Sequence, residues 1–460
     1  MIYTTNYVIK FYKVFVYMDI VKRKKRLSSS KIIILSFGIA ILVGSLLLML
    51  PFATKEPGGA SFPDALFTAT SAVCVTGLVV QDTASYWSGF GQAVIISMIQ
   101  IGGMGVVTMA VALTSLSGKK IGLAQRSVMQ ESISAPKVSG IVRMTGFIIK
   151  TTVIIELIGA AVMYPVFSKE FGTLKGVWYS LFHSISSFCN AGFDLMGVKE
   201  KFSSLTHFST SPLVMIPIIL LIVVGGIGFA TWDDIKTNKF HLKKYRMQSK
   251  VILFTSAILI FLPAVYFFFT EYQNSSIVQK IYNSLFQSVT ARTAGFNSVD
   301  LNSMNKTGLS VMLMLMLIGG SPGSTAGGMK TTTIAVIVMS AFAVFRHRKN
   351  TRAFGRRISD EIVKNSATIL IMYIILFLTG GFIISHIENL PLFSCLFETA
   401  SAIGTVGLTL GITSTLGLVS RGILILLMFF GRVGGLTLIF AAVTGDTSTS
   451  KLPQEKITVG

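Results

Sequence analysis

Val75-Thr76-Gly77-Leu78, Asn190-Ala191-Gly192-Phe193, Thr293-Ala294-Gly295-Phe296 and Thr405-Val406-Gly407-Leu408 are four versions of one short segment, each closing on glycine followed by a large apolar residue. Upstream of each lies Leu-Phe, at Leu66-Phe67, Leu181-Phe182, Leu285-Phe286 and Leu396-Phe397, and the step from that Phe to the glycine is ten residues in three copies and nine in the third. Downstream comes Gly-Gly, at Gly102-Gly103, Gly225-Gly226, Gly319-Gly320 and Gly434-Gly435. Four copies in one chain, each with its glycine turn between a short apolar stretch and a long one, predict four equivalent quarters around an axis, which is how a cation pore is built.

Composition sets the medium. With 52% hydrophobic residues, 13% charged residues and 34 Phe, the chain carries more apolar surface than a soluble core can absorb. Apolar runs long enough for about 30 Å of hydrocarbon begin near Ile32, Phe90, Met144, Pro212, Val251, Gly308, Ser366 and Arg421. Shorter apolar pieces fall near 63–75, 175–189, 278–291 and 391–403, too short to cross and therefore expected to be re-entrant. The expected fold is an all-α integral membrane protein of four helix/pore-loop/helix repeats, with eight transmembrane helices and four re-entrant half-helices around a pseudo-fourfold pore. The organisation that follows is a basic N-terminus (1–30), repeat 1 (31–117), a link (118–143), repeat 2 (144–236), a link (237–250), repeat 3 (251–345), a link (346–363), repeat 4 (364–442) and a tail (443–460).

Of 40 Lys and Arg, 27 fall in 1–31, 118–150, 236–250 and 346–364 (8, 6, 6 and 7). The positive-inside bias then places the links and both termini in the cytoplasm and opens the pore loops outward. The outer connections carry acids, among them Asp64, Asp82, Asp194, Asp300 and Glu398; Asp194 and Glu398 either raise the local cation concentration at the mouth or are simply solvated. The net charge of +21 sits beside spans without a nucleic-acid fold signature, so it points to anionic lipid or an acidic cytosolic partner and not to nucleic acid. The run Lys22–Arg26 before the apolar stretch 32–50 imitates a signal peptide, but the stretch is too long and no cleavage site precedes Pro51. Met1 and Met18 are both open as start sites.

A dehydrated cation needs several oxygens at fixed radius without a buried full charge, and backbone carbonyls supply them. The expected cation-binding filter is therefore Val75, Thr76, Gly77, Asn190, Ala191, Gly192, Thr293, Ala294, Gly295, Thr405, Val406 and Gly407, with glycine allowing unusual dihedrals and close approach. Each strand follows a half-helix whose C-terminal end favours a cation. Below the filter, Gly319, Gly320, Ser321, Pro322, Gly323, Ser324, Thr325, Ala326, Gly327 and Gly328 interrupt an apolar run. Gly costs about 1 and Pro about 3 kcal/mol in a helix, so the run must break, either as a gating loop or as a static kink. Arg432 lies in the apolar run 424–440, where a cation is costly. It is read either as an electrostatic barrier forming the gate with 319–328, or as a snorkelling residue or a partner of Glu156; Lys330 belongs to the same barrier or to the interface.

Cys74, Cys189 and Cys395 are too scattered for disulfides or zinc and are read as packing residues, and His183 and His207, without partners at metal spacing, are given packing or outer-surface roles. No phosphate-cradling loop, zinc helix or nucleophile elbow occurs, so an enzyme is not expected.

The four single-glycine strands, GGSPGSTAGGMK from Gly319 and Arg432 together resemble the membrane subunits of the Ktr/Trk potassium-uptake superfamily, from about residue 31 to 460. With no extra pair of spans before the first repeat, the chain looks like the Ktr type. The resemblance implies potassium as the transported ion, since all four filter positions are Gly. It also implies a homodimer in the cell membrane on an octameric cytosolic ring of regulatory subunits with nucleotide-binding domains, and sodium as an activating or coupled ion; the chain itself is expected to hold no cofactor. Channel-like and symport mechanisms are both open, and the competing readings are a sodium or non-selective transporter of the same architecture and a membrane-embedded enzyme such as a lipid transferase.

Overall fold

The computed structural model describes residues 28–110, 121–133, 139–273, 275–435 and 437–438. The choice between Met1 and Met18, the Lys22–Arg26 run and the tail 443–460 lie outside the described residues. Four quarters follow one another, each a long helix, a short helix, an extended segment and a second helix. The first holds α1 (Ser29–Leu48), α2 (Phe62–Val73) and α3 (Gly89–Met104), and a link helix α4 (Leu123–Ser132) follows. The second holds α5 (Ile141–Phe171), α6 (Thr173–Phe188), α7 (Pro212–Gly226) and α8 (Phe229–Asn238). The third holds α9 (Met247–Thr270), α10 (Ile277–Thr290), α11 (Lys306–Leu317) and α12 (Thr331–Phe345), followed by a small hairpin, β1 (Arg352–Ala353) with β2 (Arg356–Arg357). The fourth holds α13 (Asp360–Glu388), α14 (Leu392–Gly404) and α15 (Leu418–Val433).

The short helices α2, α6, α10 and α14 begin and end within two residues of the short apolar pieces. Their starts carry the expected chemistry. Ser61 accepts from Asp64 N at 3.3 Å with Pro63 in the first turn, and Ser276 with Gln279 closes a capping box on α10. The repeated Phe is the packing anchor: Phe67, Phe182, Phe286 and Phe397 are all fully buried, as are Leu78, Phe193, Phe296 and Leu408 beyond the glycines. Because lipid is as apolar as phenylalanine, this burial stabilises through close packing more than through loss of water contact.

The eight expected spans are not all single helices, and the break expected in the third repeat is present. Among the described residues, four single helices are long and apolar enough to cross: α1, α5, α9 and α13, of 20, 31, 24 and 29 residues; a fifth span is counted if α7 and α8, bent by 96°, are taken as one. The helices expected from Phe90, Gly308 and Arg421 stop after 16, 12 and 16 residues, or about 18–24 Å. Backbone chemistry stops them. Gly105, Gly228 and Gly434 stand at φ 87°, 91° and 90°, which no helix contains, and in the third quarter the chain leaves α11 for the Pro322 loop before resuming as α12. The links are structured in part: Val128, Met129 and Ile133 of α4 and its end are buried, and Ala353 and Ile358 of the hairpin region pack with Val251, Ala335 and Val336.

Candidate functional site

The four glycine strands meet in a closed ring. A Cβ added at Gly77 would lie 2.5 Å from Ala191 O, one at Gly192 2.7 Å from Ala294 O, and at Gly295 and Gly407 it would run into Val406 O and Thr76 O. The order is first quarter to second, second to third, third to fourth, and fourth back to first. Each contact sets the carbonyl of one strand against the glycine of its neighbour, so a side chain at any of these four positions displaces backbone. The glycines have φ of 90°, 69°, 77° and 96°, and the residues two before them, Val75, Asn190, Thr293 and Thr405, also have positive φ (58°, 59°, 77°, 50°). Such backbone costs a non-glycine residue about 1–2 kcal/mol, and its recurrence at one position in four quarters marks a constraint of function.

Sequence reasoning missed what holds these strands. A hydroxyl stands six residues before the glycine in three quarters (Ser71, Ser186, Ser401) and five before it in the third (Thr290), matching the nine-residue spacing there. Ser71 Oγ accepts from Gly77 N at 3.1 Å and Ser401 Oγ from Gly407 N at 3.0 Å, whereas Ser186 and Thr290 donate to Phe193 O and Phe296 O, both at 2.7 Å. Thr76 Oγ1 and Thr405 Oγ1 are buried without a hydrogen-bond partner among the described residues. Carbonyls gathered between strands, with helix C-termini behind them, give the ring a partial negative charge that suits a cation.

The glycine segment 319–328 is pinned to the second and fourth quarters as well as to its own. Gly319 N donates to Met329 O (2.7 Å), Ser321 N to Gly226 O (3.0 Å), Thr325 N to Gly225 O (3.2 Å) and Gly328 N to Gly431 O (3.1 Å); Gly323 O accepts from Phe229 N (2.7 Å). Thr325 Oγ1 donates to Phe188 O at 3.0 Å, just ahead of the second strand. Arg432 meets the segment from the fourth quarter: its guanidinium donates to Thr325 O, to Gly102 O and, at 3.0 Å, to Gly103 O. It therefore bridges quarters four, three and one. Glu156 is not its partner; that carboxylate accepts from Gln100 at 3.3 Å. Lys330 donates to Ala326 O at 2.8 Å and caps the end of the segment. Beneath lies a cavity of about 280 Å3 whose lining includes Gly105, Glu131, Ser324, Lys330, Tyr373 and Arg432.

The register of the fourth Gly-Gly is also corrected. Gly102, Gly225 and Gly431 each lie against the carbonyl four residues before the filter glycine, at Val73, Phe188 and Ile403. The fourth equivalent of Gly102-Gly103 is thus Gly431-Arg432, and Gly434 matches the helix-ending Gly105 and Gly228. Arg432 occupies a position that is glycine in quarters one and two. The dipeptide Gly434-Gly435 drew the alignment three residues too far because arginine had replaced the second glycine of the true pair.

The acids at the far end of the strands are engaged. Glu398 is fully buried in α14 and accepts from Thr409 at 2.8 Å and from Thr413, so it is a brace and not a solvated mouth charge. Asp82 caps a helical turn and accepts from Phe202 N at 3.1 Å across quarters. Asp194 accepts from Met196 N at 2.8 Å in the loop leaving the second strand. Its withdrawal from water, with Asp82 nearby, pushes its pKa up to about 7 despite that bond and one from Ser204. Asp64 pairs with Arg421 at 2.9 Å, joining quarters one and four. The three cysteines are buried and free, and His183 is buried with Nδ1 2.7 Å from Tyr179 O.

Comparison with known proteins places this architecture. The chain is 39% identical to the potassium/sodium uptake protein NtpJ of Enterococcus hirae, over 96% of this chain and 100% of that one. It is 37% identical to the Ktr system potassium uptake protein B of Bacillus subtilis, over 95% and 97%. Its fold matches the crystal structure of the potassium transporter TrkH from Vibrio parahaemolyticus with a TM-score of 0.72 at 18% identity, covering 92% of this chain and 86% of that one. The family model for TrkH, cation transport protein, matches residues 22–456, and the chain therefore belongs to that family of multi-pass membrane transport proteins.

Proposed function

We propose that the chain is the ion-translocating subunit of a potassium uptake system in the cell membrane, with both termini cytoplasmic. The observation that carries this is the closed ring in which each of four glycines meets the carbonyl of the next quarter. Val75, Thr76, Gly77 and their counterparts 190–192, 293–295 and 405–407 form the filter, and their carbonyls replace the hydration shell of potassium. The hydroxyls of Ser71, Ser186, Thr290 and Ser401 hold the strands at a fixed radius, so that a smaller ion gains less. The segment 319–328 and Arg432 form the gate: the guanidinium places a positive charge between filter and cavity, and passage requires that it leave Thr325 O, Gly102 O and Gly103 O. This matches relatives named for potassium uptake, and the Ktr system names support a chain that works with further subunits. A homodimer, a cytosolic nucleotide-binding ring on the basic links, and stimulation or coupling by sodium complete the proposal.

Sodium as a transported ion is a second reading, favoured by the printed name of the Enterococcus hirae relative. The test is growth at low potassium of a host lacking its own uptake systems, expressing this chain with its cytosolic subunit, beside Gly295→Ser. Rescue by the wild type, with the variant needing at least tenfold more potassium, is expected. Inserted wild-type protein without rescue would overturn the potassium assignment, and equal rescue would remove Gly295 from the filter. Sodium influx equal to potassium influx in the wild type would favour the second reading.

A further inference from the structure

Away from the pore, the ends of α5, α8 and α9 enclose a cavity of about 700 Å3 at the end of the molecule that carries the basic links. Its lining includes Arg143, Met144 and Phe147 from α5, Asp233 and Lys236 from α8, and Arg246 at the start of α9. The walls are fixed. The 96° bend lays α8 across the bundle, and buried Asp234 ties it to α9 by accepting from Arg246 N at 3.1 Å and Ser249 Oγ at 2.6 Å. The Lys236 ammonium lies 4.2 Å from the Phe147 ring centroid, joining α8 to α5. Arg246 is neutralised by Asp233 at 2.9 Å, but neither Arg143 nor Lys236 has a carboxylate partner among the described residues. With Asp234 also 3.4 Å from Arg246, three cations stand against two carboxylates, and the positive excess sits on Arg143 and Lys236.

Its depth is set by α5. Thirty-one residues extend about 46 Å, some 16 Å more than the hydrocarbon layer, so the first turns of α5 lie at the headgroup level. Arg143, Phe147, Ile154 and Ile158 share one helix face, since steps of four, eleven and fifteen residues return within about 60°. Ile154 and Ile158 are 46% and 59% exposed, and Lys150 lies on the same face one turn beyond Phe147. A basic, aromatic-floored cavity thus opens onto an exposed apolar stripe running into the membrane. We propose that this cavity binds the phosphodiester headgroup of an anionic phospholipid such as phosphatidylglycerol, with its acyl chains along Ile154 and Ile158. A soluble phosphate fits the cations but leaves the stripe unused, and an acidic protein segment has no reason to follow a stripe into hydrocarbon.

The test uses the purified full chain in detergent, with phosphatidylglycerol, phosphatidylcholine, inorganic phosphate or an oligo-glutamate peptide added, and reads lipid retained by native mass spectrometry and melting temperature. Wild type should retain phosphatidylglycerol over phosphatidylcholine. Arg143→Gln with Lys236→Gln should weaken that retention about 30-fold, two charges of about 1 kcal/mol each, with an unchanged melting temperature in phosphatidylcholine showing that the fold survives. Arg348→Gln with Lys349→Gln, on a different link and outside this cavity, should retain the lipid as wild type does. No preference in the wild type, or a preference that survives in the first pair, overturns the assignment. So does equal stabilisation by inorganic phosphate, which would make this a small-anion site, or by oligo-glutamate, which would make it a protein-docking surface.

Discussion

Arg432 is a cation whose hydrogen-bond partners are backbone carbonyls of two other quarters, Thr325 on one side and Gly102 and Gly103 on the other. Removing it abolishes a charge at the proposed gate and a tie between quarters, while every contact between the glycine strands stays in place. Arg432→Ala is therefore expected to raise potassium flux several-fold with the potassium-to-sodium preference unchanged. Arg432→Lys should fall between, because a point charge on a flexible stem cannot bridge three acceptors. Flux assays in vesicles decide it: an unchanged Ala variant would remove Arg432 from the gate. Asp194 allows a test by pH. Between the ordinary carboxyl value of 3.8 and its raised value of about 7, the folded protein binds more protons than the unfolded chain, so this group's effect lowers stability as pH rises through that window. Asp194→Asn cannot charge, and its melting temperature relative to wild type should be higher at pH 8 than at pH 5; a difference independent of pH would show that Asp194 stays ionised. Arg432 was legible in the sequence because a charge inside an apolar run is conspicuous. Its register was not, since Gly434-Gly435 imitates the pair that Gly431 and Arg432 replace. Glu398 was misread as a mouth charge because Thr409 and Thr413, its partners, are 11 and 15 residues away and belong to no periodic pattern.

Among the elements, the short helices were readable from their length, too short to cross, with the glycine strands marking their ends. The second helices were not. Apolar runs look the same whether a helix continues through them or stops at a glycine of positive φ, and only the backbone at Gly105, Gly228 and Gly434 distinguishes the two. The segment 319–328 was recognised as a break, but its anchorage was invisible, because its partners Gly225, Phe188 and Gly431 lie in other quarters. That anchorage gives the gate a measurable handle. Thr325→Val keeps the shape of the side chain and deletes the bond to Phe188 O, worth about 1 kcal/mol, so the released state should gain roughly fivefold in population and flux should rise in proportion. Deleting 321–326 should raise flux further. Unchanged uptake in both would mean that the segment is a static kink.

At the scale of the whole molecule, four unequal sequences produce one ring because the constraint acts between quarters: each glycine is required by its neighbour's carbonyl as well as by its own positive φ. The Phe-to-Gly spacing is nine residues in the third quarter, and the supporting hydroxyl moves with it from six residues before the glycine to five, so the ring stays closed while the local sequence slips. Closure also makes the quarters testably unequal. Serine at any filter glycine meets positive φ, a cost of about 1–2 kcal/mol, but the room for its Cβ differs. It is 2.7 Å from Ala294 O at Gly192 and 2.5 Å from Ala191 O at Gly77, and tighter at Gly295 and Gly407. The potassium concentration supporting half-maximal growth should therefore rise least for Gly192→Ser, more for Gly77→Ser, and most for Gly295→Ser and Gly407→Ser, each with a reduced preference for potassium over sodium. If selectivity depended on the chemistry of a lone glycine in one quarter, a single variant would lose it and three would keep it. If it depends on a closed ring of carbonyls, all four lose it, in the order of the contacts that the new side chains must displace.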